Sequence, residues 1–238
     1  RLRESAAGFK TELAYDEEAL VRTLDAAARE ATQAFDAEAR LRLDITADTA
    51  AALGIESNIL IAASAYRGVP DRIRGEGARV RTAPGLQRPD PAVKTSDFIP
   101  LREAWICAHG DPEAYEHVML SEDRMILEGT QSNLVLVRDG ELYHAPRGVL
   151  PGVTVRAVID LARAAGVVVH DRFVPVEELS SFHEAFMTTS VRSVVPVQWI
   201  DECRFEAPGP VTRRLSSLYD ELTASDAVEA SNRESARY

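Results

Sequence analysis

The stretch "NLVLVRDGELYHA" (133–145) constrains the fold more tightly than any other part of the chain. Two strand-like runs meet across Asp139-Gly140. That dipeptide accepts the left-handed backbone needed by a two-residue hairpin turn, and the twist of such a turn matches the strands it joins. An antiparallel element is therefore built into the sheet. Other strand-length segments surround it: "ARVRTA", "HVMLSE" and "RMILEG" before, "VVVHDRF", "EAFMTTS" and "SVVPVQWI" after. Helical spacing runs through "DEEALVRTLDAAAREATQAF", whose first turn is acidic, through "VTVRAVIDLARAAG", closed by Gly166, and through "PVTRRLSSLYDELTA". Beyond the last, a polar tail is expected to be unstructured. Strands and helices mix without a regular βαβ repeat, which predicts an α+β fold rather than a doubly wound sheet.

Near the front, "ARLRLDIT" alternates like a strand, and "NILIAASAY" is a mostly apolar run. The segment "RGVPDRIRGEG" that follows is rich in Gly, Pro and charge, as a domain boundary is. The expected division is a small α/β domain at 1–69, an interdomain loop at 70–76 and a large domain at 77–238. The chain opens on "RLRESAAGF" without an initiator Met, which reads as the middle of a helix. The small domain is accordingly expected to lack its first strands.

Charge and composition narrow the function. A net charge of −11 argues against nonspecific nucleic-acid binding, which needs clustered Lys and Arg. The longest apolar runs are strand-sized, so no membrane span is expected. Cys107 and Cys203 share no metal or redox spacing, and the five histidines form no HExxH-like cluster. The expectation is no metal, no secretory leader, reduced thiols and a cytoplasmic location.

The chain carries 25 arginines and only two lysines, Lys10 and Lys94. Arginine supplies charge and hydrogen bonds, but it does not lose its proton at working pH to act as an amine. Lysine does when burial or neighbours lower its pKa. Lys94, in "PDPAVKTSDFIP", therefore points to amine chemistry, or is a chance survivor on a surface. Three further stretches carry possible chemistry. In "LEGTQSNLVLV", Glu128 ends one strand and Asn133 begins the next; the carboxylate either holds a partner cation or is solvated. In "VLPGVTVRAVI", Gly152, Val153 and Thr154 start a helix whose free N–H groups suit an anion. In "FMTTSVRSVVPV", Thr188, Thr189 and Ser190 suit a phosphate or, equally, a turn. Residue by residue the chemistry stays open.

In order, Lys94, "LEGTQSN", "LPGVT" and "TTSVRSVVPV" resemble the class IV aminotransferases. These are fold-type IV enzymes using pyridoxal 5′-phosphate (PLP), and they include branched-chain and D-amino acid aminotransferases and aminodeoxychorismate lyase. The E-x-x-x-x-N and L-P-G-[IV]-T combination is its most specific part, and the likeness runs from about residue 40 to the C-terminal helix. It implies a two-domain fold-type IV architecture and a homodimer. It also implies that Lys94 would bind PLP covalently as an imine and move the substrate proton. Glu128 would pair with the pyridine nitrogen, and Leu150 would pack on the ring. The N–H groups of Val153 and Thr154, with the Thr154 hydroxyl, would hold the phosphate. Thr189 and Ser190 would complete that cradle and help seat the substrate carboxylate. The implied activity is ping-pong transfer between an amino acid, branched-chain L-amino acids being favoured, and a 2-oxo acid. The alternatives are a lyase resembling aminodeoxychorismate lyase and a PLP-free descendant. The chain departs from the family pattern at Val135, at His144, and at Val155, where a basic residue is expected and Arg156 comes one place late. No Tyr follows Lys94 closely. The family's upstream phosphate-binding arginine falls before this chain begins.

Overall fold

At Asp139 and Gly140 the backbone φ angles are 55° and 79°, both left-handed. Only these two residues separate Arg138 from Glu141, which pair across the turn. The hairpin joins β6 (Asn133–Arg138) to β7 (Glu141–His144), as the Asp-Gly chemistry requires. The computed structural model describes residues 2–8, 15–46, 54 and 56–235. Lys10 and the last three residues of the polar tail lie outside them.

The chain divides into two units, Leu2–Gly68 and Val69–Tyr238. In the first, α1 (Leu2–Gly8) and α2 (Glu17–Phe35) precede an antiparallel pair, β1 (Ala39–Ile45) and β2 (Ile59–Ala65). Asp16 caps α2, its carboxylate accepting from the Glu18 and Ala19 amides at 2.9 and 3.4 Å.

The second unit is built on nine strands. They are β3 (Ala78–Ala83), β4 (Glu116–Leu120), β5 (Ile126–Gly129), β6, β7, β8 (Val169–Asp171), β9 (Glu184–Thr189), β10 (Ser193–Ile200) and β11 (Cys203–Arg204). Their order is β5-β4-β3-β10-β9-β6-β7-β8, with β11 on β10. Pairing is antiparallel except at β3–β4, β3–β10 and β7–β8. The uninterrupted apolar run in β6 follows from burial on both faces. Val135 and Val137 pack with Phe186 and with Val158, Ala162 and Leu215 of the covering helices α5 (Val153–Ala164) and α6 (Pro210–Ser235). Leu134 and Leu136 face the other way, toward Met187, Leu179 and Phe182. Full burial of such side chains stabilises the fold by about 1.5–3 kcal/mol each.

Four elements differ from the expectations. Asp71–Glu76, read as part of an open interdomain loop, is a short helix, α3, entered through Pro70 and ended at Gly77, whose φ is 87°. Phe98–His109 is a helix, α4, that links the parallel strands β3 and β4. Its sequence is too evenly apolar to show a helical stripe. Val176–Ser181 forms a 3₁₀ helix. Finally, α6 runs on to Ser235, through part of the tail expected to be unstructured. That tail holds no Gly or Pro, so no strong helix breaker interrupts the run on from Ala224. The start of α6 is fixed from a distance. The buried Glu184 carboxylate accepts from the Val211 and Thr212 amides at 3.0 and 2.8 Å and from the Thr212 hydroxyl at 2.7 Å.

Candidate active site

β5 delivers Glu128 to a buried position, 2% exposed. The Thr130–Ser132 connection then returns the chain at Asn133. Its Nδ2 donates to Glu128 Oε2 at 3.0 Å and to the Leu150 carbonyl at 2.8 Å. The E-x-x-x-x-N spacing thus closes a carboxylate–amide contact, and the same amide fixes the chain just before α5. Gly152 follows for a steric reason: a Cβ there would be driven into Asn133 Oδ1.

Gly152 is also the N-cap of α5 and contributes no side-chain cap. The first bond back to it comes from the Arg156 amide at 3.2 Å, so the amides of Val153 and Thr154 lie ahead of the ladder. Thr154 is 4% exposed, and its Oγ1 is buried with no hydrogen-bond partner. Such a hydroxyl is costly unless something else fills the site. Thr188 pairs with Asn133 in the β6–β9 register, and its Oγ1 is likewise buried without a partner.

The other expected residues are placed differently. Thr189 Oγ1 accepts from the Val191 and Arg192 amides at 3.2 and 2.9 Å, holding the turn after β9, and Ser190 is exposed on that turn. It is Thr188 that stands beside Asn133. Val153 is 42% exposed and contributes backbone alone. Leu150 is buried and lines a cavity of ≈290 Å³ with Glu128, Asn133, Val149, Val155 and Ile159. His144, Arg156, Asp160, Arg163 and Asp171 are the other ionisable residues of its lining. His144 pairs with Asp171 at 2.9 Å, and Val135 belongs to the core.

Lys94 lies on the loop between β3 and α4 and is exposed, outside the cavity walls, although its charge is felt at Glu128. Arg88, from the same loop, comes nearer. Its Nε is 3.4 Å from Glu128 Oε1, and the two side chains are 10% and 3% exposed. Its guanidinium also lies 4.2 Å from the Phe98 ring centroid. Burial pushes the Glu128 carboxyl up to about 7, against the pull of Arg88, the Leu150 backbone and Lys94. Nothing in the sequence marks Arg88 among 25 arginines. Thr188 was visible only as one of three adjacent hydroxyls.

Among the described residues no group of His, Cys, Asp and Glu could hold a metal, and no helix is long and apolar enough to cross a membrane. What the site does assemble is a buried carboxyl, an apolar wall and an uncapped helix start, with Lys94 on an exposed loop outside the cavity walls.

A putative branched-chain amino acid aminotransferase from Thermotoga maritima shares the fold with TM-score 0.75 and 27% identity, over 92% of this chain and 77% of that one. An aminotransferase from Brucella abortus, bound to the cofactor PLP, gives TM-score 0.75 and 23% identity, over 93% and 81%. The architecture is that of the fold-type IV enzymes. In sequence, residues 1–200 match the family described as amino-transferase class IV. A probable branched-chain-amino-acid aminotransferase of Thermotoga maritima is 31% identical over 230 residues, 92% of this chain and 77% of that protein. The chain belongs to the class IV aminotransferase family and is a transaminase by class.

Proposed function

We propose that this protein is a PLP-dependent transaminase moving an amino group between an amino acid, branched-chain L-amino acids foremost, and a 2-oxo acid in two ping-pong half-reactions. One observation carries the reading. A single amide, Asn133, joins the buried Glu128 to Leu150, beside an uncapped helix start whose buried Thr154 hydroxyl has no partner. These residues fit a cofactor with a basic ring nitrogen at one end and a phosphate at the other. When bound, PLP supplies an electrophilic carbonyl and an electron-accepting ring.

The chain's own residues then have distinct tasks. Glu128 presents a fixed carboxylate to the ring nitrogen and keeps a proton there, while the Asn133 amide keeps that carboxylate aimed. Leu150 gives the ring an apolar wall and excludes water from one side. The Val153 and Thr154 amides and the Thr154 hydroxyl hold the phosphate, with the positive end of α5 behind them. Thr188, Thr189 and Ser190 offer further hydroxyls at the end of β9. Lys94 Nζ holds the cofactor and carries the substrate α-proton as acid and base. The preference for branched-chain L-substrates rests on the similarity to the Thermotoga maritima protein. A homodimer in the cytoplasm completes the proposal.

The test is a transfer assay with L-leucine, L-isoleucine, L-valine and D-alanine against 2-oxoglutarate. The expected result is acceptor-dependent formation of glutamate from the three L-amino acids, with parallel double-reciprocal plots. Pyruvate release from a suitable amino acid without any acceptor would replace the transaminase by a lyase.

A further inference from the structure

We propose that Arg88 is a positioning residue for amino-group transfer: it supplies a permanent positive charge that opposes protonation of Glu128 while Lys94 changes its own charge, and it ties the Lys94 loop to the Glu128 strand. The proposal rests on the reading of Lys94 and Glu128 given above.

Arg88 Nε approaches Glu128 Oε1 at 3.4 Å, and its Nη2 approaches the Thr130 carbonyl at 3.5 Å, just past the end of β5. On the other side the guanidinium lies against the ring of Phe98, the first residue of α4. Lys94 falls between Arg88 and Phe98 in sequence. One buried side chain therefore joins the near side of the Lys94 loop, its far end and the strand bearing Glu128. With the Arg88 side chain 10% exposed, solvent does little to screen the pair.

The other charged and polar groups around Glu128 cannot take this role. Asn133, from β6, is neutral. Lys94 contributes charge, but a lysine acting as base must give up its proton. If it alone balanced Glu128, the carboxylate would lose its counter-charge at each such step. Arginine keeps its proton throughout. On the cavity side, His144 and Asp171 from β7 and β8, and Arg156, Asp160 and Arg163 from α5, complete the set of charges. Of these, His144 pairs with Asp171, Arg163 lies 3.7 Å from Asp171 and 3.9 Å from Asp160, and Arg156 is not among the chief pulls on the Glu128 carboxyl. Burial raises the Glu128 carboxyl and Arg88 lowers it, in agreement with the contacts.

The experiment follows the Glu128 carboxyl in the cofactor-free protein by ¹³C NMR of labelled glutamate. Glu128→Gln identifies the signal by deleting it. Arg88→Gln is expected to raise the Glu128 midpoint by a unit or more. Arg88→Lys, which keeps the charge but loses the flat group over Phe98, restores the midpoint while kcat stays low. In the loaded enzyme the acid limb of kcat/KM for Arg88→Gln moves to higher pH, with a loss of up to ~10-fold at pH 7 for each unit moved. If Arg88→Gln does not fold, an Arg88→Lys midpoint at the wild-type value with reduced kcat supports both roles. A raised midpoint there removes the charge role. An unmoved midpoint in folded Arg88→Gln overturns the assignment even if the wild type transfers amino groups. A moved midpoint in a wild type that binds no PLP overturns the transaminase reading instead, and with it the role in transfer, leaving only the charge pair.

Discussion

Burial and counter-charge act against each other at Glu128, where the carboxyl rises from 4.5 to about 7. The sign of the resulting linkage is fixed. With its pKa raised in the fold, Glu128 contributes stability below about 4.5, and that stability is lost as pH rises through about 7. Between pH 4 and pH 8, the cofactor-free wild type should lose on the order of 3 kcal/mol relative to Glu128→Gln in denaturant unfolding. A constant difference would mean that Glu128 titrates normally. At this scale the sequence was partly legible. Lys94 stood out because the chain has nearly abandoned lysine, and Glu128 and Asn133 stood out through their spacing. Arg88 was not legible, because its role depends on a loop bringing it to a strand 40 residues away.

At the scale of elements, α5 concentrates the site in its first turn. Gly152 gives way to Asn133, the Val153 and Thr154 amides precede the ladder, and the Thr154 hydroxyl is buried without a partner. A hydroxyl retained at such a cost should matter only when an anion is present. Thr154→Val, which keeps the shape and removes the hydroxyl, is therefore expected to leave the cofactor-free protein as stable or up to about 1 kcal/mol more stable. PLP affinity should fall by about tenfold, the loss of one hydrogen bond to a charged group. Equal PLP affinity, measured by fluorescence titration, would remove Thr154 from the cradle. The hairpin at Asp139-Gly140 and the ends of α5 were readable because turn chemistry and caps are local. The helix α4 was not, since its residues are apolar on nearly every side. The full reach of α6 was missed because a polar sequence can be helical when nothing interrupts it.

At the scale of the whole molecule, the mixing of strands and helices without a regular βαβ repeat indicated an α+β fold, but the strand order was not readable. Placing β10 beside β3 depends on contacts between segments more than a hundred residues apart. The order of four short motifs carried more, since it identified the family before any one of them identified a role. The most direct measurement is titration of the purified protein with PLP, followed by visible absorption, borohydride reduction and peptide mapping. The expected result is a visible band that reduction removes, with the cofactor mass fixed on the peptide containing Lys94. Lys94→Ala should show neither band nor adduct, and its transfer rate should fall by at least ~10²-fold. A wild type that binds no PLP, or an adduct on any other residue, would contradict the assignment of Lys94 and the chemistry built around it.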